Sequence, residues 1–82
     1  MHEKHRHVLS VIDFVATDHN TIFAKITGYD AVLEREFKGE VKFLSGRPFG
    51  DLIHSQRSFL SPECREFVLD KLLNKYNDGQ FN

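Results

Sequence analysis

A chain of 82 residues with 40% hydrophobic side chains, eight Phe and no Trp makes one folded domain with a thin core, and it excludes a disordered polymer, which needs low hydrophobicity and a large charge imbalance. Eleven basic against twelve acidic residues leave a formal charge of −1, so no long-range field gathers nucleic acid, an anionic membrane or a charged substrate. The single cysteine, Cys64, excludes an intramolecular disulfide framework and fits a reducing, cytoplasmic setting.

No repeat, low-complexity tract or Pro/Gly-rich linker divides residues 1–82, which read as a single domain with a frayed segment at 1–6. The apolar stretch from Val8 to Ala16 is interrupted by Ser10 and Asp13, too broken for a signal peptide and too short for a membrane span. His7 to Thr17 is rich in β-branched residues. Val8, Ile12, Phe14 and Ala16 fall on one alternating face and Leu9, Val11 and Val15 on the other, as in a central or doubly covered strand. Asp18-His19-Asn20 supplies turn chemistry.

Thr21 to Thr27 alternates Ile22, Ala24 and Ile26 against Phe23, Lys25 and Thr27, a half-buried strand ended by Gly28-Tyr29-Asp30. Val32–Phe37 and Val41–Leu44 then flank Lys38-Gly39-Glu40. A three-residue loop there sets Glu36 opposite Lys42 and Phe37 opposite Val41, whereas a two-residue loop would oppose Arg35 to Lys42, so the longer loop is expected. Gly46-Arg47-Pro48-Phe49-Gly50 reads as a loop in which sheet regularity lapses. Asp51 to Leu60 fits either one helical turn or a short edge strand.

The last third is a well-punctuated amphipathic helix, Ser61 to Tyr76. Ser61 is a good N-cap and Pro62 suits the first helical position, while Glu63 and Glu66 early and Lys71 and Lys75 late complement the helix dipole. At 100° per residue Val68, Leu69, Leu72, Leu73 and Tyr76 gather on one arc, the expected core face. Phe67 projects away from that arc beside Lys71. The fold expected is α+β: a small antiparallel sheet of three or four strands with a C-terminal helix packed on one face.

Phe23-Ala24-Lys25-Ile26-Thr27-Gly28-Tyr29 resembles the F-x-x-I-T-G-Y stretch of PAS sensory domains, and Phe43-Leu44-Ser45-Gly46 a later part of their pattern. The spacing between the two stretches is too long and the family's three closing strands give way to a helix, so the resemblance implies no membership.

Among chemistry-bearing residues, His2, His5 and His7 offer imidazoles but no fixed third and fourth ligand, so neither metal nor cofactor is expected. Cys64 falls in the first helical turn, where the dipole lowers a thiol pKa, with His54 or His19 the only candidate bases for a small thiol enzyme. Glu34 and Glu36 share one strand face and read as solvent-facing charges at a strand edge. These patterns supply no catalytic residue.

One helix covers one side of a sheet, and the leftover apolar surface points to a non-enzymatic interaction module that pairs with itself as a homodimer and with another protein. Phe67, Lys71, Val11 and Val15 are the expected interface residues. The competing reading is a nucleic-acid-binding regulator that uses Arg35, Lys42, Arg47 and Phe49 as a local basic and aromatic surface.

Overall fold

The computed structural model describes residues 6–17 and 20–81. Its elements are β1 (Val8–Ala16), β2 (Thr21–Asp30), β3 (Arg35–Leu44), β4 (Arg47–Phe49), a 3-10 turn at Asp51–Ile53 and α1 (Pro62–Asn77). The four strands form an antiparallel meander in the order β1-β2-β3-β4. The sheet-first, helix-last α+β architecture expected from the sequence is the one observed.

Alternation along β2 decides which face is buried. Ile22, Ala24 and Ile26 point inward with Phe37, Val41 and Phe43 of β3, and they meet Leu52, Leu60, Cys64, Val68, Leu72 and Phe81 in one core. The buried line of α1 is Cys64-Val68-Leu72 at i, i+4 spacing. Leu69, Leu73 and Tyr76, also expected on the core face, lie half-buried on one flank, and Tyr76 stacks on Phe43 at 5.1 Å. Ser61 caps the helix as expected, its hydroxyl accepting from Cys64 N–H, with Pro62 opening the first turn.

Four local readings are corrected. The expected hairpin around Lys38-Gly39-Glu40 does not form: β3 runs straight through it, with Glu36 opposite Tyr29, Phe37 opposite Gly28 and Lys42 opposite Phe23. The reversal occurs at residues 31–34 instead, where Asp30 accepts from Val32 N–H and Leu33 N–H and Glu34 adopts a φ of 55°. A side-chain oxygen that accepts from the N–H groups two and three residues on is strong turn chemistry, and it outweighs the apolar character of Val32 and Leu33.

Gly28 likewise does not end β2. It is a close-approach residue: a Cβ there would collide with the Val8 carbonyl and with the Phe37 ring at 2.5 Å. The glycine lets a large aromatic lie across the strand.

The segment Gly46 to Gly50 is the third correction. Ser45 and Gly46 have φ of 51° and 87° and make a two-residue hairpin turn, after which Arg47–Phe49 pairs with Leu44–Lys42 as a short edge strand. Pro48 is tolerated because its missing donor lies on a strand at the sheet's margin.

The fourth concerns β1, which is an edge strand and not a central one. Its register slips between Val11 and Asp13, leaving Ile12 as a bulge. One extra residue swaps the two faces. Leu9 and Val11 therefore share the core side of the sheet with Phe14 and Ala16, while Val8, Asp13 and Val15 lie on the outer side. The bulge regroups Leu9, Val11, Phe14 and Ala16 on the core side and leaves Val8 and Val15 as exposed apolar residues on the outer one. The turn expected at Asp18-His19-Asn20 lies mostly outside the described residues, although Asn20 has a φ of 57°.

Candidate functional site

The start of β1, the end of β2 and the N-terminus of α1 converge on one buried carboxylate. Asp30 is 1% exposed. Its Oδ2 accepts from Ser61 N–H at 2.7 Å, and its Oδ1 accepts from the Ser61 hydroxyl at 2.9 Å, Val32 N–H at 3.0 Å and Leu33 N–H at 3.2 Å. Burial alone raises the pKa of this group, but donors from Ser61, Leu33 and Val32 together prevail and hold it below the ordinary aspartate range. Ser61 thus faces two ways, capping α1 with its own oxygen while anchoring that cap to the β2–β3 turn.

His7 closes the cluster from outside. Its Nδ1 accepts from Ala31 N–H at 3.0 Å and lies 4.0 Å from Asp30 Oδ1, and its ring leans on Phe67 at 5.5 Å. Cys64 lies beneath, its thiol 4.0 Å from the Tyr29 carbonyl.

His7, Asp30 and Cys64 present ligand-type atoms within 4.8 Å of one another, a triad that could hold a divalent cation. Two observations argue that its residues serve one another. The Nδ1 lone pair of His7 accepts one hydrogen bond and Asp30 Oδ1 accepts three, and a metal on either atom would displace them. No buried side-chain polar atom among the described residues lacks a partner. The chemistry present is that of a latch pinning three elements together. His2 and His5 lie outside the described residues.

The dipole-lowered thiol expected from the sequence is not what the surroundings of Cys64 favour. Burial, followed by the charge of Asp30, pushes the Cys64 thiol up to about 12, so the helix dipole does not activate it. His54 is exposed, with its Nδ1 accepting from Gln56 N–H, and His19 lies outside the described residues. A thiol with this pKa carries roughly three thousandfold less thiolate at neutral pH than a free cysteine of pKa about 8.5. Iodoacetamide should therefore modify the folded protein far more slowly than the urea-unfolded chain, as mass spectrometry would read; equal rates would refute the burial argument. Glu34 sits in the β2–β3 turn and Glu36 on β3, so they do not share a strand face.

The second candidate surface is the sheet face opposite the helix. Strand register aligns Val15, Phe23, Lys42 and Phe49 in one row across all four strands. Val15 is 57% exposed, Phe23 45% and Phe49 48%. Asp13, Lys25 and Glu40 form the adjacent row, and Leu44, opposite Arg47, adds a further exposed apolar group. Among the described residues no element covers this face.

The residues expected at an interface therefore separate. Phe67, Lys71 and Val11 lie on the helix side, where Phe67 and Val11 pack against the edge of the core and the Lys71 ammonium sits 5.8 Å from the Phe67 ring centre. Phe67, expected to project away from the core, is instead half-buried against it, with His7 and Lys71 beside its ring. Val15 belongs to the outer face. Of the residues proposed for nucleic acid, Lys42, Arg47 and Phe49 come together on the outer face, while Arg35 lies at the far end of β3 opposite Asp30.

Asp30 and Phe23 were not singled out from sequence. For Phe23 a signal existed, a large aromatic on the otherwise polar side of an alternating strand. Asp30 followed Gly28 and read only as part of a break. No helix among the described residues is long and apolar enough to cross a membrane. Compared with protein-family models, with curated proteins and with solved structures, the chain finds no match.

Proposed function

We propose that the protein is a small non-enzymatic interaction module that pairs with a second copy of itself through its outer sheet face. The observation that carries this reading is the row Val15-Phe23-Lys42-Phe49, apolar at three of its four positions, exposed, and running the full width of the sheet. Isolated exposed apolar groups are ordinary, but an aligned row on a flat surface is what sheet-on-sheet packing uses. The neighbouring charges are mixed in sign, Asp13 and Glu40 against Lys25 and Lys42, so a two-fold related copy can set lysine against carboxylate without a net repulsion.

Size sets the strength. Strands of about ten residues at roughly 3.3 Å each, spaced about 4.8 Å, give a face of roughly 30 by 15 Å. Two such faces remove on the order of 1,000 Å² from water, near the lower limit for a specific interface and in the range of weak, transient pairing. Light scattering across micromolar concentrations should show a rising mass that reaches twice the monomer, and Phe23→Lys should hold the protein at monomer mass without lowering its helix content. A mass independent of concentration at the monomer value would refute the reading.

The second reading keeps a specific observation in its favour. Phe23 and Phe49 flank Lys42 on an open sheet, and Lys25, Lys38 and Arg47 share that face, a surface on which single-stranded bases could stack. Asp13, Glu36 and Glu40 lie among these cations and weaken phosphate attraction. Binding of an oligothymidylate that falls steeply with salt would favour this reading.

A further inference from the structure

The two margins of the sheet are unequal. On one side β4 is three residues long and contains Pro48, the usual means of blunting an edge. On the other, β1 runs for nine residues with no strand beyond it among the described residues. Beside that open margin α1 leaves a gap. Its buried side chains meet those of β2 and β3 in the core, and a groove of about 320 Å³ remains between β1 and the end of the helix, lined by Val11, Phe14, Phe81, Lys75 and Gln80.

The helix flank toward β1 is cationic. Lys71 lies over Phe67, which packs against His7 just before β1, and Lys75 lines the groove one turn later. Neither ammonium is within ion-pair distance of a carboxylate among the described residues; Lys75 reaches only the Gln80 side-chain oxygen at 3.4 Å. Asp13 lines the same groove, but strand register turns it to the outer face beside Lys25, and its Oδ1 accepts from Phe14 N–H at 2.9 Å.

We infer that this groove binds an extended peptide segment of a partner protein, added as a fifth strand beside β1, with apolar and acidic residues alternating along the side it turns toward α1. The peptide's main chain pairs with the Val8–Val11 half of the edge, where the ladder is regular. At the Ile12 bulge the ladder is interrupted and the segment passes over the groove, placing an apolar side chain against Val11, Phe14 and Phe81. Its carboxylates meet Lys71 and Lys75. Charge decides the occupant: a second copy would bring the same two lysines against their own kind across a two-fold axis, whereas an acidic strand satisfies both.

The experiment uses the full-length Phe23→Lys variant, so that the outer face does not contribute, and a displayed library of randomised nonapeptides. Selected sequences should carry, at every second position, an apolar residue and Asp or Glu in turn, so that both fall on one face of the strand, and synthetic copies should shift the amide resonances of Val8 to Val11. Reversing both charges, Lys71→Glu with Lys75→Glu, should weaken binding at least about tenfold, as should raising the salt for charge-led contacts. Lys71 is exposed and Lys75 half-buried, so circular dichroism should confirm an unchanged fold, and the single Lys71→Glu variant should weaken binding in the same direction. Peptides that bind equally well after charge reversal, peptides that map to the outer face, failure to select any sequence, or self-association of the Phe23→Lys variant through β1 would each overturn the proposal.

Discussion

Asp30→Ala should lower the stability of the domain by about 3 to 4 kcal/mol, the cost of leaving the buried Ser61 N–H and hydroxyl without their charged acceptor while Val32 and Leu33 turn to water. A domain of this size has a total of about 4 to 12 kcal/mol. The melting temperature should therefore fall by roughly 15 to 25 °C, and the helix N-terminus should fray first. Asp30→Asn is the informative partner, because it keeps one acceptor oxygen but turns an amide N–H toward a donor. It should fall between wild type and Asp30→Ala. A loss under about 1 kcal/mol for the alanine variant would show that the latch is not a principal fastening.

The same carboxylate fixes a pH dependence. Its folded pKa is held below the unfolded value of about 3.9, so its contribution is complete above that value and is lost as the pH falls through the lower, folded one. Urea midpoints measured from pH 6 downward should decline through this acid window. The Asp30→Asn variant should decline less.

Phe81→Ala should cost a further large amount, about 3 to 5 kcal/mol as for other buried Phe truncations. Phe81 is 2% exposed, packed edge-on against Phe14 at 5.3 Å and against Phe43 at 5.4 Å. It reaches that place because Gly79, with a φ of 76°, reverses the chain after α1, and Gln80 N–H donates back to the Lys75 carbonyl. The effect is set by position and not by nearness to the end of the sequence. Ending the chain after Gln80 should be as damaging as the substitution, and chemical denaturation of both would show it. A midpoint close to that of wild type would mean that Phe14 and Tyr76 close the core unaided.

The order of elements, the helix and its cap were legible because each was signalled twice. Ser61-Pro62 gave the start of α1, and the apolar spacing through Val68 and Leu72 gave its inner face. The β2–β3 connection was not legible. Gly39 looked like a turn residue but lies within β3, where a Cβ would come within 2.6 Å of Leu52 Cδ1; the space it leaves belongs to a residue distant in sequence. Glycine at a turn and glycine under a neighbour's side chain look alike in one dimension. Asp30 was missed for a related reason, since three of its four hydrogen bonds are to backbone N–H groups that carry no residue-specific mark, and its principal partner is 31 residues away.

The outer face was partly legible. Val15 was identified, and the premise of uncovered apolar surface agrees with the exposed row it joins. Phe67 was assigned to that surface because its angular position excluded the central core. The sequence had no means of showing that His7 folds over it. Parity along β1 misled in the same way, for a bulge at Ile12 leaves no mark in the alternation of apolar residues.

The most direct test of self-association through the outer sheet face is an isotope-filtered nuclear Overhauser experiment on a mixture of labelled and unlabelled protein at millimolar concentration. Contacts between copies should connect the methyl groups of Val15 and the rings of Phe23 and Phe49, and no others of comparable strength. Cross-peaks confined to β1 and α1, or none while the mass remains that of one chain, would contradict it.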